Sequence, residues 1–112
     1  MTSERTDGTR RVVDIVYYDS EADAYGLGLL EKREWGSINK HEEDISRRVN
    51  DYLSFVLDGQ LEKMHPDAKG KLVVINLLYA HPPDEKWLRH FDSIRKELMQ
   101  YGIRFEVNKM PG

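Results

Sequence analysis

Four histidines, His41, His65, His81 and His90, are the side chains best suited to bind a metal or to move a proton near neutral pH. None stands four residues from another, and none sits in a carboxylate–histidine motif of the helical zinc type. The plain reading is that they are solvated or locally bonded. His81 is the one to follow. It falls just past the carboxyl end of an apolar run and before a helix start, where open α/β sheets place ligands. With Asn76, Gly26 and Gly28 it makes a weak ligand-binding candidate, since glycines in a strand admit close backbone approach to a ligand or to a bulky side chain. The pair Gly26 and Gly28 is no phosphate loop, because it lacks the third glycine, the lysine and the following helix. No serine lies in a nucleophile elbow. No catalytic residue, metal ligand or cofactor motif follows from these patterns.

Asp14 and the run Glu31-Lys32-Arg33 loosely resemble the acidic hairpin of metal-dependent nucleases. There an Asp and a Glu hold a divalent ion, and a lysine two residues after the Glu orients water. Arg33 occupies the lysine position, and a guanidinium cannot act as a base. The helix that should precede such a hairpin is also missing from the pattern. A net charge of −3 without a basic stripe disfavours nucleic acid as a partner. Glu42, Glu43 and Asp44 are accounted for by the positive N-terminal end of a helix and are not read as a metal site.

The chain has 112 residues, enough for one domain with one core. It has no cysteine, so it offers neither disulfides nor thiolate chemistry, and this fits a reducing cytoplasm. Charged residues make up 33% with both signs interspersed, and no segment is long and apolar enough to span a membrane. Residues 1–11 are polar, are no signal peptide, and are expected to be a disordered arm; 12–108 form the domain and 109–112 a tail.

These residues must be positioned by a sheet built around Gly70–Tyr79, a short β-branched run that reads as a buried central strand. Val12–Tyr18 and Ala24–Glu31 alternate as a hairpin. Ile45, Val49, Tyr52, Leu53 and Val56 form one apolar stripe on a helix from Lys40 to Asp58, which Ser37 or Asn39 can cap. Leu61 and Met64 suggest one further turn as a lid. Trp87, Leu88, Phe91, Ile94, Leu98 and Tyr101 mark a second helix, with Pro83 at its first position. Ile103–Val107 alternates as an edge strand. Trp35 is expected to plug the sheet edge, its indole N–H on a carbonyl. The fold class is α+β, a two-layer sandwich of a mixed four-stranded sheet and two helices in the order β-β-α-β-α-β.

Helices on one face leave the other face bare, and Val12, Val16, Tyr18, Leu72, Val74 and Leu78 are expected there. An apolar patch of this kind marks an interface, most simply with a second copy. The competing arrangement puts one helix on each face, leaves no patch and gives a monomer. Val12-Val13-Asp14-Ile15, Asp51-Tyr52-Leu53-Ser54-Phe55, Pro66-Asp67-Ala68-Lys69-Gly70 and Pro83-Asp84-Glu85-Lys86 together resemble a family of small bacterial proteins of unknown function. The likeness covers nearly the whole chain after residue 11. It implies a bacterial cytosolic domain with no assigned activity. The functional expectation is a non-catalytic cytoplasmic protein acting on itself as a homodimer, or on another protein as an immunity-type binder. The alternative is a small ligand-binding protein or a metal-dependent hydrolase or nuclease-like enzyme.

Overall fold

Alternation in β2 (Ala24–Glu31) sets the architecture, because Tyr25, Leu27 and Leu29 point one way and Gly26 and Gly28 the other. The structure, a computed structural model, describes residues 13–36 and 38–111. The expected arm over residues 1–11, Val12 and the capping candidate Ser37 lie outside them. The elements are β1 (Ile15–Asp19), β2, α1 (Ile38–Leu57), α2 (Gln60–Met64), a 3₁₀ turn (Pro66–Ala68), β3 (Leu72–Tyr79), α3 (Glu85–Met99) and β4 (Ile103–Lys109). They form an α+β fold with one mixed sheet of four strands in the order β1-β2-β3-β4. β1 and β2 are antiparallel, whereas β2, β3 and β4 run parallel. The short α2 is the extra turn that Leu61 and Met64 foreshadow. Leu61 is buried beneath it, but Met64 faces water and is no lid.

Both parallel connections step the same way across the sheet, so a shared right hand puts their helices on one face. The core agrees. Ile45, Val49, Tyr52 and Phe55 of α1 and Trp87, Phe91, Ile94 and Leu98 of α3 share one cluster with Leu27, Leu29, Ile75, Leu77 and Phe105. Asp84 caps α3 by accepting from the Trp87 N–H at 3.1 Å, so the helix starts two residues later than Pro83. α1 starts at Ile38, which puts Glu42, Glu43 and Asp44 beyond the first turn. The three carboxylates therefore do not serve the helix end, which corrects the sequence expectation. Gly102, at φ +71, is left-handed backbone and turns the chain from α3 into β4.

The face of β1 needs correction. The register pairs Val16 with Leu27 and Tyr18 with Tyr25, so Val16 and Tyr18 lie on the helix-covered face. Val16 packs against the core, and the Tyr18 and Tyr25 rings stand 5.3 Å apart. A five-residue strand with apolar side chains on both faces does not declare its inward side; the pairing register does. The open face therefore carries Ile15 and Tyr17 from β1. The Tyr17 ring lies directly over Gly26, where a Cβ would collide with the ring carbons and the hydroxyl. At Gly28 a Cβ would meet Ile15 Cβ at 3.2 Å and Leu78 Cδ1 at 3.6 Å. The two glycines make room for neighbouring side chains of the same sheet.

Replacing Gly26 with alanine should displace the Tyr17 ring and cost about 1–3 kcal/mol in urea unfolding. Gly28→Ala, whose neighbours need to give only slightly, should cost clearly less. Equal losses at the two sites would contradict this packing.

Candidate functional site

Glu31 continues the inward series of Tyr25, Leu27 and Leu29, so β2 ends by carrying a carboxylate into the core, where Glu31 is 1% exposed. Such a charge is tolerated only with partners, and it has several. Arg33 donates from Nε to Oε2 at 2.9 Å and from Nη2 to Oε1 at 2.6 Å, and its backbone N–H adds a bond of 3.0 Å. His41 Nε2 stands 3.0 Å from Oε1, and Arg48 Nη1 3.4 Å from it. The Gly36 N–H donates to His41 Nδ1 at 3.3 Å, so the ring proton sits on Nε2 and is given to Glu31. Burial alone would raise the Glu31 carboxyl. The bonds from Arg33 and His41 and the Arg33 charge outweigh it and hold the carboxyl at about 2.

Around this carboxylate the cluster widens. Arg33 Nη2 also donates to Asp44 at 2.6 Å, and Arg47 to the other Asp44 oxygen at 2.5 Å. Burial raises the Asp44 carboxyl, but the Arg33 bond and the charges of Arg33, Arg47 and Arg48 bring it below its ordinary value. Asp14 and Arg48 do a different job. They complete the sheet at Leu30, beyond the start of β1. The Leu30 N–H donates to Asp14 Oδ2 at 3.0 Å, and the Leu30 carbonyl accepts from Arg48 Nη2 at 2.7 Å. Tyr52 donates to the Gly28 carbonyl at 2.8 Å and accepts from the Asp14 N–H at 2.9 Å. Burial pushes its hydroxyl well above the usual range.

Asp14 and Glu31 thus do converge, as the hairpin pattern suggested, and the group between them is the Arg48 guanidinium. Among the described residues no group of three or more His, Cys, Asp or Glu is arranged to hold a metal ion. Aromatic rings seal the cluster: Trp35 stacks on His41 at 5.0 Å and meets Trp87 at 4.6 Å. The Trp35 indole N–H donates to the His81 carbonyl at 2.5 Å, the bond expected of it, although the ring packs on the core rather than plugging an edge.

The ligand candidates separate into two places. Gly26, Gly28 and Asn76 share the open sheet face, while His81 is an exposed residue of the loop after β3, joined to the rest through its backbone carbonyl. Asn76 Nδ2 donates to Tyr17 Oη at 3.1 Å, and Asn108 Nδ2 donates to Asn76 Oδ1 at 2.8 Å. A polar ladder of Tyr17, Asn76 and Asn108 thus crosses the open face. Of the interface candidates, Leu72, Val74 and Leu78 share that face, with Val74 buried beneath its neighbours.

Residues 6–111 match the model of a family of unknown function, DUF6572. The chain belongs to this family. No curated protein and no solved structure matches it.

His41 is locally bonded, one of the two readings given to the histidines, but its partner Glu31 was not foreseen, and sequence reasoning missed Arg48, Tyr17 and Asn108. The legible signal for His41 and Arg48 was Glu31 itself, at the fourth inward position of an otherwise apolar strand. For Tyr17 it was the glycine pair that needed a bulky cover.

The Glu31 carboxyl is depressed from 4.5 to about 2, so its stabilisation is complete above 4.5 and is lost as pH falls towards 2. Urea midpoints across that window should drop by the equivalent of on the order of 3 kcal/mol. In Glu31→Gln that part of the pH dependence should vanish. Glu31→Ala at neutral pH, which removes the carboxylate shared by Arg33, His41 and Arg48 but leaves Arg33 on Asp44 and Arg48 on Asp14, should cost on the order of 3 kcal/mol. An unchanged midpoint would refute a structural role for the cluster.

Proposed function

We propose that the chain is a non-catalytic cytoplasmic protein that works by association, with itself and with a further protein, as an immunity-type or other binding partner does. One observation carries this reading: among the described residues no helix or second sheet packs on the face of the sheet opposite the helices. Ile15, Leu30, Leu72 and Leu78 remain partly exposed there around the ordered Tyr17–Asn76–Asn108 ladder. Apolar side chains around fixed polar groups are the usual make-up of a protein-binding surface. The charged cluster speaks for the same reading. Its carboxylates are bonded to arginine and histidine of the same chain, leaving Glu31 no oxygen turned to a substrate. None of the described helices is long and apolar enough to cross a membrane, and a chain without cysteine suits a reducing compartment.

A thermal-shift screen with Mg²⁺, Mn²⁺, Zn²⁺ and nucleotides, run beside light scattering over a concentration series, tests this. The expected result is an unchanged Tm with every small ligand and a mass above that of one chain as concentration rises. A chain that stays single at all concentrations and gains Tm with a metal or nucleotide is a ligand binder or an enzyme, and the reading falls.

A further inference from the structure

β4 is an edge strand, and half of its backbone groups look outward. The Met110 N–H bonds inward to the Tyr79 carbonyl at 2.7 Å, whereas the Phe105 carbonyl accepts from Arg95 Nε of α3 at 3.2 Å. Alternation then turns the N–H and C=O groups of Ile103, Phe105 and Val107 away from β3. Such a row pairs with another strand unless it is blocked, and here Ile103 and Phe105 are only 4% and 1% exposed, so pairing requires the Arg95 side chain to move off the edge. Along β4 runs a cleft of about 670 Å³ that wraps the edge of the strand, lined on one side by Arg95 and Met99 of α3 and on the other by Leu72, Arg104 and Glu106 of the open face. Leu88 and Met99, 49% and 67% exposed, stand at opposite ends of the α3 stripe that borders it, with Asp92 and Arg95 between them.

We propose that two copies of this chain pair through their β4 edges, antiparallel about a two-fold axis at Phe105, to form one continuous sheet. This rests on the reading of the protein as one that self-associates and specifies where. The register follows from charge. Centred on Phe105, Arg104 of each copy stands opposite Glu106 of the other on the open face, and Ile103 stands opposite Val107 on the helix face. Centring one position earlier sets Arg104 against Arg104; one position later sets Glu106 against Glu106. Opposed like charges on directly facing positions are destabilising, opposed unlike charges stabilising. The outward backbone groups fit the same centre, since Phe105 faces Phe105 and Ile103 faces Val107 as hydrogen-bonded pairs. The same two-fold runs the α3 helices antiparallel. It brings Leu88 of each copy towards Met99 of the other and Asp92 towards Arg95. Arg95, which pairs with Asp92 of its own helix and holds the Phe105 carbonyl in the single chain, exchanges both for groups across the axis. The pairing leaves the two open faces side by side as one surface for a further protein.

Sedimentation or light scattering of the full chain over a dilution series reads the dimer directly. Arg104→Glu, at an exposed position, faces two carboxylates with two more and should weaken dimerisation on the order of tenfold or more. The double exchange Arg104→Glu with Glu106→Arg should restore it. The chain has no cysteine, so mixing Arg104→Cys protein with Glu106→Cys protein under mild oxidation should give a disulfide-linked dimer that neither variant forms alone. Facing positions of this non-hydrogen-bonded type lie within disulfide reach, at about 4.5 Å between Cα atoms. A dimer indifferent to Arg104→Glu and broken by Leu78→Arg would overturn the edge pairing while keeping self-association through the open face. A wild-type chain that stays single at every concentration would overturn both the edge pairing and self-association.

Discussion

The Glu31 carboxylate, buried at the end of β2, is the constraint around which the rest of this protein is arranged. A charge removed from water must be matched by partners of good geometry, or it costs more than its neighbours can return. Here the partners come from three places in the chain. Arg33 arrives from the next turn, His41 and Arg48 from α1, and the Asp14 carboxylate shares Arg48 from the entry to β1. The ion pairs therefore tie the antiparallel hairpin to the first helix at one end of the sheet. The Trp35–His41–Trp87 stack continues the connection into α3. What resembles a reaction centre in the sequence is, in three dimensions, the joint between the layers.

The two faces of the sheet solve different problems. The helix-covered face is an ordinary apolar core. The open face carries a glycine pair whose missing side chains are replaced by the Tyr17 ring, and its hydroxyl is tied to Asn76. A ring laid over Gly26 covers the backbone there at little cost in side-chain freedom. The face is thus partly roofed by the chain's own tyrosine, and it is less greasy than a strand-by-strand reading implies. What stays partly exposed at its margins is a set of aliphatic side chains around fixed polar ones.

The edges of the sheet are treated unequally. β1 is short and ends at Asp19, where Tyr18 and Lys71 both hold the carboxylate of Asp23. β4 is longer and alternates regularly, and its free carbonyl at Phe105 is occupied by an arginine of α3. That arginine occupies one of the outward backbone groups that an added strand would otherwise use.

Much of the fold was legible along the chain. The alternation of residues 24–31 and 103–107, the β-branched run at 72–79 and the stripes of α1 and α3 each have one period that fits one element. The order of those elements was legible too, with only the short α2 added, whereas the shared face of the helices follows from the spatial order of the strands. Asp14 and Glu31 were visible as a pair, because a hairpin brings the ends of its strands together. Which face β1 shows to the helices, and that the pair would meet on Arg48, were not. Both depend on register and on where α1 lands, and those are set by contacts between residues far apart in sequence: Tyr17 with Asn76, Asp14 with Tyr52, and Glu31 with Arg48. Periodicity carries local information alone, so the sequence by itself determined the elements and their order. The pairing of strands and the neutralisation of the buried carboxylate were decided only when the tertiary structure closed.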